Sequence, residues 1–156
     1  METINIEALA ELNKAILDEE IVDPFVFNCM EQVEEHKGIT YIDVMLAEYC
    51  KNAKNILSLT KTELESSTPR YTLIDNMLEK LEAASPRVAA KQVELSVTPV
   101  RLCLTGDPED LDVAKSALCT LERDFLVFES HLRKFIELKK QVHIFDRSAP
   151  TKSPME

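Results

Sequence analysis

Glycine and tryptophan are the residues that this chain of 156 amino acids has least of: it contains two glycines and no tryptophan. Loops that hold phosphate groups need several closely spaced glycines, so the sequence excludes the usual nucleotide-binding loops. The same scarcity argues against most β-sandwich and α/β enzyme designs. Because no catalytic motif stands elsewhere in the sequence, we predict a protein that is not an enzyme.

Basic residues near the N-terminus and long apolar runs are also missing. The first basic residue is Lys14, which argues against a secretory signal peptide, and each apolar run is shorter than the roughly 20 residues that span a bilayer. The four cysteines form no C-x-x-C pair, so we expect reduced, buried thiols and a cytoplasmic protein without membrane contact: Cys29, Cys50, Cys103 and Cys119.

Metal-binding patterns are absent as well. No pair of the three histidines, His36, His131 and His143, has the spacing of a zinc site. The acidic stretch from Asp107 cannot form an EF-hand, since Leu111 occupies a position where that loop needs an oxygen ligand. We expect neither a metal nor another cofactor.

Negative charge is plentiful and unevenly placed. The formal net charge is −10, and residues 1–36 alone carry −9, from ten acidic residues against Lys14. Residues 131–152 carry +4, which solvated helix flanks or weak phosphate contacts would explain. The acidic segment has three interpretations: a solvated face, a surface for a basic protein, or a mimic of nucleic acid. Direct binding to nucleic acid is disfavoured by the overall charge.

Apolar spacing predicts helices over the first half of the chain. The first runs from about Asn5 to Ile16. The second begins at Asp23-Pro24 and ends at Gly38 in a left-handed C-cap. The third runs from Thr40 to about Leu59, followed by a polar link or one more turn, and the fourth from about Pro69 to Ala84. The predicted buried stripe of the second helix contains Phe25, Val26, Cys29, Met30 and Val33.

In the second half of the chain, the spacing of the apolar residues first changes from the helical period to a period of two. Apolar and polar residues alternate over residues 92–105, with Thr98-Pro99 in the middle, which predicts a short β-hairpin or, alternatively, an irregular connector. Asp107-Pro108 then starts a long amphipathic helix to about residue 147. Its apolar seam of Leu and Phe either packs on the N-terminal helices or pairs with a second copy of the chain.

The predicted fold is therefore mainly α, in four parts. Residues 1–85 form a helical bundle, 86–106 the connector with its hairpin, 107–147 the long helix and 148–156 a disordered tail.

One stretch resembles a known family. Residues 30–43 (MEQVEEHKGITYID), the pair Tyr49-Cys50 and residues 78–83 (LEKLEA) are similar to the late-transcription coactivators of myovirus-type tailed bacteriophages, over residues 20–84. The resemblance implies a non-enzymatic adaptor that docks on bacterial RNA polymerase in the host cytoplasm. The family's clamp-binding tail has no match in residues 150–156 (PTKSPME).

The sequence thus favours a protein–protein adaptor in phage transcription. The predicted partner-binding residues lie on the third helix and on the seam: Tyr41, Asp43, Met45, Tyr49, Phe128 and Phe135. Two alternatives stay open at this point. One is an assembly protein that forms homo-oligomers through the long helix, and the other is an acidic inhibitor that mimics nucleic acid.

Overall fold

Helices make up the secondary structure of the computed structural model, which describes residues 2–18, 21–38, 40–105 and 111–148. No strand occurs within these ranges. The elements are α1 (Glu2–Asp18), α2 (Pro24–Lys37), α3 (Thr40–Glu65), α4 (Tyr71–Ala84), a short 3₁₀ helix (Ser85–Val88), α5 (Lys91–Thr105) and α6 (Leu111–Ser148).

Local capping fixes the ends of α2 as the sequence predicts. The Asp23 carboxylate accepts hydrogen bonds from the backbone N–H groups of Phe25 and Val26, at 2.9 and 3.2 Å, and Pro24 occupies the first turn. Gly38 ends the helix with φ 104° and donates its N–H to the Glu34 carbonyl at 2.8 Å. Its ψ of 163° lies outside the predicted left-handed helical region, in a region open almost only to glycine.

Helices α3, α4, α5 and α6 form a four-helix bundle in which each helix packs on its two neighbours. Helix α1 lies against α6, and α2 lies against α3 and the 3₁₀ helix. Aromatic rings join these layers: Phe27 of α2 contacts Phe135 of α6 with centroids 5.2 Å apart, and Tyr49 of α3 lies 5.7 Å from Phe128. One apolar core therefore connects all six helices.

The predicted β-hairpin over residues 92–105 is wrong, because this stretch is helix α5. Its buried residues, Val93, Val97 and Val100, recur at steps of four and three and face the bundle. Leu95 and Leu102, which the alternating pattern grouped with them, are 56% and 66% exposed. The spacing of apolar residues in this stretch fits both the two-residue period of a strand and the period of a helix. Packing against α4 and α6 favours the helix.

One expectation about the helices in the first half also needs correction. In α2 the buried residues are Phe27, Met30 and Glu34, whereas Phe25 is 78% exposed and Cys29 is exposed. Of the two continuations expected after Leu59, the structure has the helical one: α3 extends to Glu65, and Thr60 and Leu64 lie in the core.

The long helix α6 buries its seam within the chain. Leu118, Leu121, Phe125, Phe128 and Leu132 are at most 3% exposed, and α6 packs on α5, α1 and α3. The predicted cap at residues 107–110 and the predicted tail, beyond Ser148 at residues 149–156, lie outside the described residues. None of the described helices combines the length and apolarity needed to cross a bilayer.

Candidate functional site on the outward face of α4

Helix α4 presents a mixed polar face at its middle. Ile74, Leu78 and Leu81 are buried, so the opposite side of the helix faces outwards. That side, which we call the α4 face, carries exposed residues spaced three, four and seven apart: Leu73, Asn76, Glu79, Lys80 and Ala83. A carboxylate cluster with α5 borders this face on one side, and a groove with α3 borders it on the other.

The carboxylate cluster joins α4 to α5 through Arg101. Its Nε donates to Asp75 Oδ1 at 2.8 Å and its Nη1 to Glu82 Oε1 at 2.5 Å, while Nη2 lies 3.5 Å from Glu79 Oε2. The Thr98 hydroxyl donates to the other Glu82 oxygen at 2.9 Å. Asp75, Glu79 and Glu82 reach the same guanidinium because they follow one another by four and three residues on α4.

Three carboxylates against one guanidinium leave this cluster with a formal charge of −2. The hydrogen bond that Arg101 donates to Asp75 raises the pKa of Arg101 further, and the one it donates to Glu82 acts in the same direction, so the guanidinium stays protonated. Of the three carboxylates, Glu79 has the longest contact with Arg101. It is also the most solvent-exposed of the three, with 67% of its side chain exposed. The α5 side of the α4 face therefore carries a formal charge of −2.

The groove on the α3 side has the opposite character. Its wall is largely apolar, from Met45, Ile56 and Leu59 on α3 and Met77 on α4. Its charged lining residues are Lys80, Arg87 and one carboxylate, Glu48, and neither cation forms an ion pair with another described residue. In a chain of net charge −10, this groove combines exposed apolar surface with two available cations.

A polar contact fixes the floor of the groove. The Ser85 hydroxyl donates to the Leu81 carbonyl at 2.8 Å, so the Tyr49 hydroxyl donates to Ser85 Oγ, also at 2.8 Å. Burial raises the pKa of the Tyr49 phenol. The phenol stays neutral near pH 7 and acts as a structural support beneath the groove.

The three histidines all lie away from the α4 face. His36 is exposed in the last turn of α2. His131 is half-buried on α6, with Nδ1 2.8 Å from the Val127 carbonyl, so this nitrogen carries the proton and Nε2 is unprotonated when the ring is neutral. It borders a shallow surface with Arg123 and Ser130. His143 belongs to the C-terminal part of α6.

The predicted partner-binding residues divide into two groups. Tyr49, Phe128 and Phe135 lie in the core at 6%, 1% and 1% exposure, where they hold helices together. Tyr41, Asp43 and Met45 are half-buried on α3. Asp43 binds Lys140 of α6 at 2.5 Å, and Met45 lines the groove beside α4. The structure does not bring the six residues together on one surface.

Metal and thiol chemistry find little support in the described part of the chain. No group of three or more potential ligands converges there as a metal site. All four cysteines are free thiols, and Cys29 and Cys119 are exposed rather than buried as predicted. Burial, together with the neighbouring Glu129 carboxylate, raises the pKa of the Cys50 thiol to about 12. Cys50 is thus protonated and a poor nucleophile near pH 7.

The carboxylate cluster is absent from the predictions made from the sequence. The spacing of Asp75, Glu79 and Glu82 on a predicted helix was available as a signal that they share one face. Their cation could not be assigned, because the predicted hairpin placed Arg101 on a strand.

Comparison with solved structures identifies the fold as that of histidine-containing phosphotransfer proteins. The protein of this class from maize matches with a TM-score of 0.81 at 19% identity, over 88% of this chain and 99% of the maize chain. That from Medicago truncatula matches with a TM-score of 0.83 at 15% identity, over 91% and 95%. A rice protein assigned to the same class matches with 0.80 at 18%, over 91% and 98%. No protein-family model matches the sequence, and neither does a curated protein.

These matches overturn the resemblance to phage late-transcription coactivators. The pattern around Gly38 and Thr40 reflects the junction of two ordinary helices, and the complete bundle is that of a different class. Docking on bacterial RNA polymerase and a role in phage transcription are therefore wrong. The assembly protein and the nucleic-acid mimic also lack support, and the seam assigned to oligomers is buried inside the chain.

Proposed function

We propose that this protein works in phosphotransfer signalling by binding the proteins between which phosphoryl groups pass. The observation that carries the proposal is the extent of the structural match. It covers at least 88% of this chain and at least 95% of each neighbour, so it extends over most of the helical structure. Because this chain has the same arrangement of helices, we expect its surface to bind the same class of signalling proteins.

The partner class follows from the chemistry of such a relay. A phosphotransfer protein contacts a donor, a histidine kinase, and an acceptor, a response regulator that takes the phosphoryl group on an aspartate. An aspartate acceptor is itself negatively charged at neutral pH. The groove between α3 and α4 offers Lys80 and Arg87 to such a surface, beside apolar area from Met45, Ile56 and Leu59. We therefore assign the receiver domain of a response regulator to the groove and the adjoining α4 face.

The direct test is binding of the purified full-length chain to purified receiver domains and histidine kinases, by biolayer interferometry. We expect a transient complex, with Kd in the micromolar range, for at least one receiver domain. The double variant Lys80→Glu/Arg87→Glu should bind at least about tenfold more weakly, since it replaces the two cations of the groove with carboxylates.

The matched control is Arg123→Glu/Lys134→Glu, which reverses the same two charge types at exposed positions of α6. It should bind like the unmodified chain. Equal weakening by both double variants would refute the groove as the docking surface. Absence of binding to every kinase and receiver tested would refute the proposed function itself.

A further inference from the structure

We infer that this chain binds the partners of phosphotransfer proteins without receiving the phosphoryl group, and so competes with the proteins that carry it. This rests on the proposed function and adds that the chain takes up no phosphoryl group from the partner it binds. It follows from where the histidines lie and from what occupies the α4 face in their place.

A relay histidine must be reachable by the active site of another protein. When it accepts, the bond between phosphorus and the donor atom breaks and a bond forms to an unprotonated imidazole nitrogen. Helices α3, α4 and α5, which flank the groove and the carboxylate cluster, contain no histidine. A partner docked on the α4 face therefore meets no imidazole.

The three histidines lie on α2 and α6 instead. His36 stands in the last turn of α2, where the negative end of the helix dipole disfavours an added dianion, and Glu35 precedes it. His131 lies on α6 beside Arg123, on a surface that lines neither the groove nor the carboxylate cluster. His143 lies on the same helix, five residues before its end at Ser148.

The centre of the α4 face carries Glu79 instead. Together with Asp75, Glu82 and Arg101 it forms a cluster of formal charge −2, comparable to the charge of roughly −2 on a phosphoryl group at neutral pH. This cluster repels an incoming phosphoryl group while presenting a partner with a similar charge. The charge at this position thus resembles that of a phosphotransfer protein that already carries a phosphoryl group.

The decisive experiment is a reconstituted relay. A histidine kinase labelled with [γ-³²P]ATP passes its label through the maize phosphotransfer protein to a receiver domain that binds this chain. Increasing amounts of the full-length chain should reduce label on the receiver, by half near the Kd for that receiver. The chain itself should stay unlabelled. A variant lacking all histidines, His36→Gln/His131→Gln/His143→Gln, should compete equally well, with its folding checked by circular dichroism.

Each result has a definite consequence. Label that is lost in acid but survives alkali would show a phosphohistidine, and label that is lost in alkali would show an acyl phosphate on a carboxylate such as Glu79. Either would overturn the inference and leave the proposed function standing. Loss of competition in the folded histidine-free variant, or binding without competition, would also overturn it. Failure to bind any kinase or receiver would refute the proposed function instead.

Discussion

Glu79 is the residue on which the behaviour of the α4 face depends most. Its carboxylate is 67% exposed and lies 3.5 Å from Arg101, at the edge of that residue's hydrogen-bonding range. An imidazole at this position would be accessible from solvent. The charges around it would still oppose phosphorylation, because Asp75 and Glu82 lie on the same side of α4.

Replacing this carboxylate gives a gain-of-function prediction. Glu79→His combined with Glu82→Lys supplies an imidazole and places a cation three residues away, where it stabilises the transferred group. We expect the double variant to take up label from a phosphorylated donor, and Glu79→His alone to take up less. Autoradiography after gel electrophoresis measures both. Glu137→His, at an exposed position of α6, is the control and should stay unlabelled. An unlabelled double variant that still binds the donor would contradict the assignment of the α4 face.

Glu31 gives a prediction of pH dependence. Burial raises its pKa above the ordinary value of 4.5, and the negative charges of Glu34 and Glu35 add to the effect, although Lys139 opposes it. A carboxyl with a raised pKa in the folded state costs stability above that pKa. The cost disappears below the unfolded-state value, where the group is protonated in both states.

Glu31→Gln should therefore raise the melting temperature at pH 7, and the difference should vanish as the pH falls below about 4.5. Thermal unfolding followed by circular dichroism over this range checks it. Glu35→Gln removes the same charge from an exposed position and should give a smaller gain. A gain for Glu31→Gln that persists at low pH would mean that the effect does not come from its titration.

At the scale of elements, α5 is unusual because it contains Pro99 in its interior. Proline has no N–H to donate to the Leu95 carbonyl, and its ring crowds that carbonyl. Pro99→Ala should raise the free energy of unfolding by about 1–3 kcal/mol, measured by urea denaturation. Pro86→Ala is the control, since Pro86 stands in the first turn of the 3₁₀ helix and should give no such gain. A Pro99→Ala variant that is less stable would indicate that this proline supports a turn.

Elements with their own end signals could be predicted from the sequence, and α5 could not. Asp23, Pro24 and Gly38 determine the ends of α2 through contacts within a few residues. In α5, by contrast, Val93 and Val97 fit a strand as well as a helix, and only packing decides. The carboxylate cluster could not be predicted for the same reason. Arg101 lies 26 residues from Asp75 in the sequence and contacts it because both segments are helical.

At the scale of the whole molecule, the uneven charge has a structural use inside the chain. Lys139, from the basic stretch, forms ion pairs with Glu34 and Glu31 of the acidic segment, the latter at 3.6 Å. Lys140 pairs with Asp43 at 2.5 Å. These contacts join residues 105 and 97 positions apart. Part of the acidic surface that the sequence suggested for a basic partner is therefore neutralised by the chain's own C-terminal helix.

The two neighbouring lysines should differ sharply in what they contribute, which tests this account. Lys139 binds a Glu34 side chain that is only 9% exposed, so Lys139→Ala leaves a buried carboxylate unpaired and should cost about 3 kcal/mol. The side chains of the Lys140 pair are more exposed, 38% and 32%, and Lys140→Ala should cost far less.

The two variants are compared by urea denaturation at 0.05 and 0.5 M salt. These concentrations lie on either side of the one at which the screening length is about 10 Å. Salt should reduce the small cost of Lys140→Ala and leave most of the Lys139→Ala cost. Equal costs for the two variants would mean that both pairs are surface contacts and that apolar packing alone joins α6 to α2 and α3.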